Sequence, residues 1–177
     1  DEALRLGDRI AILKDGELVQ EGATVDILLH PADDYVAAFV KDVNRARALT
    51  VATVMQPQTS RISAATIGEA LAQMKKMPGD YGYYFNENGY QGVVSRQILE
   101  ATSEQQRQGP LDNRYFEAIP AITSDAILES VIPETLDTSY PLPVLNDEGD
   151  LQGELSRSSL AEVLGETRAR QPSQASH

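Results

Sequence analysis

The chain has 177 residues, 41% of them hydrophobic and 24% charged, a composition ordinary for a soluble globular protein and not for a disordered or membrane-spanning one. Its formal net charge is -12, and the acids gather late: residues 103–164 hold 12 acids against 3 bases, whereas residues 49–102 hold 4 of each. That surface repels nucleic acid and anionic lipid, no apolar run approaches the roughly 18 residues of a spanning helix, and the absence of cysteine excludes disulfides, thiolate metal sites and cysteine nucleophiles.

In chain order, the apolar runs flanking Asp15-Gly16 predict two short antiparallel strands, because that dipeptide tolerates the positive φ of a tight turn. Thr24 is placed to cap a short helix through Ile27 and Leu28, which must end near His30 ahead of Pro31. In DDYVAAFVKDV, residues Tyr35, Val36, Phe39, Val40 and Val43 form an apolar helical stripe, with Asp33 and Asp34 at the favourable N-terminal end. These elements bury too little to stand alone, so residues 1–43 are expected to be the last piece of a larger core. The opening Asp1-Glu2-Ala3-Leu4 lacks the features of a signal peptide and is expected to continue a longer protein. Residues 44–50, NRARALT, lack apolar periodicity and are expected to be a linker.

Beyond residue 50 the chain repeats itself with a period of about 60 residues. Asn86–Leu99, NENGYQGVVSRQIL, aligns with Asn146–Leu160, NDEGDLQGELSRSSL, with one extra residue in the second turn. Upstream, ISAATIGEAL at 62–71 aligns with ITSDAILESV at 122–131. Each half reads as a short strand, a helix capped by Thr66 or Ser124, an apolar strand (Tyr83–Phe85 or Leu142–Leu145), a glycine turn, and a second strand entering a helix capped by Ser95 or Ser156. The order is β-α-β-β-α, twice, with the halves joined through polar residues 103–110.

These residues carry two resemblances. EALRLGDRIAILKDGELVQEGATVDILLHPADDYVAAFV is similar to the end of the nucleotide-binding domain of ABC importers. Val54-Met55-Gln56-Pro57, the repeated order of elements and the Gly-x-x-Ser-Arg-x-x-Leu close resemble the CBS domain, whose copies pair through their sheets; the second copy has only Ala118-Ile119-Pro120 near the entry position. The combination resembles the C-terminal part of the ATP-binding subunit of glycine betaine/proline-type ABC importers. The implied fold class is α+β: a tandem CBS pair preceded by a β-hairpin and two short helices from the end of an ABC ATPase domain. The implied divisions are 1–43 for the ATPase remnant, 44–50 for the linker, 51–102 and 111–164 for the two CBS copies, and 165–177 for a polar, disordered tail.

The chain is not expected to be an enzyme. It contains no Gly-Lys pair from which a P-loop could be built and no Ser-Gly-Gly signature, so no catalytic residue is assigned, although the full-length parent is expected to hydrolyse ATP. His30 and His177 have no metal spacing, the acids at 147, 148 and 150 lack the spacing of a calcium loop, and Glu69 and Glu129 read as solvated helix faces, so no metal is expected.

The CBS resemblance implies a regulatory adenine nucleotide such as ATP, AMP or cyclic di-AMP in the clefts between copies. Ser95 and Ser156 would offer hydroxyls at helix starts, Arg96 and Arg157 charge, and Tyr83 and Tyr84 stacking faces. Simple capping explains the serines equally well, and sheet core the tyrosines. Family copies that bind ligand often hold the ribose with an Asp where this chain has Ile98 and Ser159.

The function implied is a module sensing an adenine nucleotide or ionic strength to control compatible-solute import in osmoregulation; the alternative is a ligand-free dimerisation scaffold. The partners implied are the rest of the ATPase domain, a second copy and the transmembrane permease subunit, at the cytoplasmic face of the plasma membrane.

Overall fold

The computed structural model describes residues 9–165. The first eight residues and all of the expected tail except Gly165 lie outside them. Strands β1 (Ile10–Lys14) and β2 (Glu17–Gly22) form the expected hairpin, with Asp15 at φ 53° and Gly16 at φ 81° in the turn. Helix α1 (Thr24–Leu29) starts one residue earlier than expected: Ala23 is its N-cap and Thr24 its first helical residue. Helix α2 (Asp34–Val40) is capped by Asp33, whose carboxylate accepts the Val36 amide at 2.9 Å. Of the predicted stripe, Val36 and Val40 are buried while Phe39 remains 60% exposed.

Residues 44–50 are not a featureless linker. Arg45–Ala48 form a turn of helix, α3, and the next residues run alongside the second repeat, where the Val51 and Ala52 amides donate to the Ala126 and Ser124 carbonyls and the Leu128 amide donates to Leu49. Two alanines and two arginines favour helix here, and Ala46 and Leu49 are buried. The segment is too short for periodicity to reveal it.

The first repeat is β4 (Arg61–Ile62), α4 (Ile67–Met74), β5 (Tyr81–Asn86), β6 (Gly89–Ser95) and α5 (Arg96–Glu100). The second is β8 (Ile122–Thr123), α6 (Leu128–Asp137), β9 (Leu142–Leu145), β10 (Leu151–Leu155) and α7 (Arg157–Gly165). Gly89 and Gly149 supply φ of 90° and 84° in the two turns. Thr66 caps α4 in a full capping box with Glu69. Ser124 does not cap α6: the N-cap is Ile127, and the Ser124 carbonyl is committed to Ala52.

Each repeat lends an edge strand to the other. Strand β3 (Gln56–Pro57), at the entry of the first copy, pairs with β10, and β7 (Phe116–Glu117), at the entry of the second, pairs with β6. The sheets are therefore β3-β10-β9-β8 and β4-β5-β6-β7. Glycine at equivalent repeat positions permits the exchange: a Cβ on Gly153 would sit 2.6 Å from the Gln56 carbonyl oxygen, and one on Gly92 would lie against the Glu117 carbonyl oxygen. The weak second entry in the sequence thus performs the same task as the first.

Three cores result. One, around Ile62, Leu71, Tyr84 and Leu99, lies under the helices of the first copy. A second, with Tyr83, Phe85, Val93 and Leu142, fills the space between the two sheets. The third is continuous from the N-terminal segment (Ile27, Leu28, Val36, Val40) through Leu49 and Val51 into Leu128, Val131, Leu155 and Leu160 of the second copy.

Candidate functional site

The repeated Ser-Arg pairs sit at the starts of α5 and α7, and the two arginines have matching structural duties. Arg96 Nη2 donates to the carbonyls of Met74, Met77 and Gly79 at 2.9, 3.4 and 2.7 Å, closing the C-terminal end of α4. Arg157 Nη2 donates to the Thr138 carbonyl at 2.9 Å, just past α6. A guanidinium at a helix C-terminus satisfies carbonyls that have no helical partner and meets the negative end of the dipole.

The serines diverge. Ser156 Oγ accepts the Ser159 amide at 3.0 Å and lies 2.9 Å from both the Ser158 and Ser159 hydroxyls. Ser95 is buried and its side chain makes no capping bond. A cavity of about 300 Å³ lies beside the α7 start, lined by Thr138, Ser139, Tyr140, Pro141, Ser156, Arg157 and Ser158. A second, of about 210 Å³, holds Ser159 together with Thr53, Val54 and Gln56 from the entry segment, Glu162 and Val163 from α7, and Leu29 and His30 from the end of α1. Neither cavity is lined by Ser95, Arg96, Tyr83 or Tyr84.

Tyr83 and Tyr84 point to opposite faces of β5, as alternation requires. Tyr84 packs on Phe116 at a ring distance of 5.4 Å in the core of the first copy. Tyr83 is fully buried between the sheets. Its ring is enclosed by sheet rather than open to a purine. Ile98 is 43% exposed on α5 and offers no polar group.

Tyr83 instead belongs to a polar cluster that sequence reasoning missed. Its hydroxyl donates to Glu154 Oε2 at 2.7 Å and lies 3.0 Å from the Pro141 carbonyl; Tyr81 donates to the same carboxylate at 2.8 Å, and Gln58 Nε2 at 3.0 Å. Burial, then the hydrogen bond and the negative charge of Glu154, push both phenols well above the usual 10.0. The repeat alignment carried a signal for it. Glu154 falls where the first copy has Val93, an acid in place of an apolar strand residue, and Tyr81 and Tyr83 fall where the second copy has Pro141 and Pro143.

No protein-family model matches the chain. In sequence it is 30% identical over 171 residues to a glycine betaine/carnitine transport ATP-binding protein of Listeria monocytogenes, covering 93% of this chain and 41% of that protein. It is likewise 30% identical over 169 residues to the glycine betaine/proline betaine transport system ATP-binding protein of Escherichia coli, covering 93% and 42%. The chain thus spans about two fifths of these relatives, matching their C-terminal part. Among solved structures, the fold is similar to a CBS domain-containing protein of Bacillus anthracis, with a TM-score of 0.56 and 14% identity over 68% of this chain and 95% of that one. The fold is a tandem CBS pair. Two further CBS structures are similar at 67–68% of this chain: that of a bacterial CNNM/CorC Mg²⁺ transporter in complex with ATP (TM-score 0.54, 16% identity, 91% of that chain) and CbpB in complex with c-di-AMP (0.53, 15%, 86%).

In this CBS pair the two copies are chemically unequal. The second copy brings hydroxyls and Arg157 to open cavities, whereas the first buries Ser95 and presents the apolar Ile98 where the second has Ser159. Among the described residues no cluster of histidine and acidic side chains is arranged to hold a metal ion, and no helix is long and apolar enough to cross a membrane.

Proposed function

We propose that the chain is the regulatory part of an ABC importer ATP-binding subunit for compatible solutes, in which the CBS pair responds to a cytoplasmic signal and biases ATP hydrolysis in the attached domain. The observation that carries this reading is the cavity of about 210 Å³ walled jointly by the second CBS copy and by Leu29 and His30 of the N-terminal segment. A molecule seated there touches both the sensor and the segment similar to an ATPase end. Adenine nucleotides are the proposed ligands, supported by the ATP and c-di-AMP carried by two CBS structures of the same fold. In that cavity Ser159, Thr53 and Gln56 are the groups that would receive them, while Ser156 and Arg157 would do so in the separate cavity of about 300 Å³ at the start of α7, with Ser95, Arg96, Tyr83 and Tyr84 holding the scaffold. The rest of the ATPase domain and a transmembrane permease are the proposed partners, at the cytoplasmic face of the membrane.

A second reading, a ligand-free dimerisation scaffold, is favoured by Ile98, which has no hydrogen-bonding atom, and by Ser159, whose hydroxyl already meets Ser156. Calorimetric titration of the chain with ATP, AMP, adenosine and cyclic di-AMP at low and high salt separates the two. Micromolar binding of one of them supports the sensor. No binding, together with a dimer insensitive to salt, sinks it and leaves the scaffold.

A further inference from the structure

Arg45 stands where three helices meet. From α3, its Nη1 donates to the Val163 carbonyl in the last turn of α7 at 3.0 Å, and its Nη2 donates to the Leu28 carbonyl in the last turn of α1 at 3.1 Å. Carbonyls from two different helices thus converge on one planar cation, whose rigid fork serves both at once. The same helices wall the cavity of about 210 Å³ through Leu29 and His30 on one side and Ser159 and Val163 on the other.

Around this contact, residues 45–54 are held along their length. Arg47 pairs with Glu129 on α6 at 3.1 Å, and the backbone from Leu49 to Ala52 bonds to residues 124–128. Leu49 and Val51 are buried in the core that joins the N-terminal segment to the second copy. Among the described residues, none of that segment belongs to the core of the first copy.

We propose that Arg45 pins α7 of the second CBS copy to α1 of the N-terminal segment, so that the second copy transmits conformational change to the ATPase side, while the first copy beyond its entry residues 51–57 influences it through the sheet interface. This deepens the proposed regulatory role and rests on it for its biological use, but the mechanical link stands on the contacts alone. Shifting α7 strains one Arg45 hydrogen bond, and the guanidinium cannot follow without releasing the other end. The exposed Arg47–Glu129 pair can break with little consequence, because solvated ion pairs contribute little.

Hydrogen–deuterium exchange of the whole chain tests the link. In Arg45→Ala, amides in the last turns of α1 and α7 are expected to exchange at least about tenfold faster together, with β5 and β6 unchanged. Arg47→Ala is expected to leave both helices protected. Arg45→Lys, which keeps the cation but loses the fork, should give the same pattern at smaller amplitude and serves if the alanine variant does not fold. Loss confined to residues 45–50, loss spread equally into β5 and β6, or no loss at all would each overturn the proposal. Failure here leaves nucleotide binding untouched, and a chain that binds no nucleotide yet shows the paired loss keeps the link and loses the sensor.

Discussion

Replacing Glu154 by alanine strips the acceptor from three donors at once, and they differ in what they can recover. Tyr83 is fully buried and keeps only the Pro141 carbonyl at 3.0 Å. Tyr81 and Gln58 are partly exposed, so water can replace much of what they lose. A hydrogen bond to a charged group is worth about 1.5–3 kcal/mol when desolvated, and the half-exposed pair add about 0.5 kcal/mol each, for a total of roughly 3 kcal/mol. With a urea slope of about 2 kcal/mol/M, the unfolding midpoint should fall by about 1.5 M at unchanged slope, read by far-ultraviolet circular dichroism. In a Tyr81→Phe/Tyr83→Phe background the same substitution should cost under about 1 kcal/mol, a coupling of about 2 kcal/mol. Glu154→Val in that background recreates the apolar choice the first copy makes at Val93, and should be near wild type. A Glu154→Ala cost below about 1 kcal/mol, or a cost unchanged in the double-phenylalanine background, would refute the claim that this carboxylate joins the two copies.

The same cluster predicts an alkaline limit to stability. Because the folded pKa of Tyr83 is raised, its contribution is whole below pH 10 and is lost as pH climbs above it, at about 1.4 kcal/mol per pH unit, and Tyr83→Phe should flatten that limb in pH-dependent urea melts. Ser156→Ala should destabilise by about 1 kcal/mol through the lost cap bond, whereas Ser95→Ala should be nearly neutral by thermal melting, since Ser95 makes no such bond. Gly153→Val should cost at least about 2 kcal/mol, because its Cβ would meet the Gln56 carbonyl of the exchanged strand and the Met55 side chain just before it; equal stability would contradict the close approach.

The repeat, its order of elements and the two glycine turns were legible because turn chemistry and apolar alternation are local signals. Strand exchange was not, since β3 and β7 are two residues each and their pairing partners lie far along the chain, 98 residues for Gln56 with Glu154 and 22 for Phe116 with Val94. The helical turn at residues 45–48 was not legible for a similar reason: one turn has no period, and what holds it is tertiary, namely Arg45 on Leu28 and Val163. At the candidate site, the residue types at 95, 96, 156 and 157 were found by repetition, but burial separated their fates. Ser156 and Arg157 reach a cavity, while Tyr83 and Tyr84 fill cores on opposite faces of one strand. Glu154 was visible as a broken repeat position, and its partners only as tyrosines two apart on the facing strand.

If the second copy is the sensor, ligand bound there must be felt by the N-terminal segment. Hydrogen–deuterium exchange of the chain with saturating ATP or cyclic di-AMP addresses this directly. Slower exchange is predicted around Thr53, Val54 and Gln56 and around Ser159, Glu162 and Val163, together with residues 28–30, because Leu29 and His30 share the cavity of about 210 Å³ with them. Protection limited to the first copy, or binding with no change at residues 28–30, would contradict it.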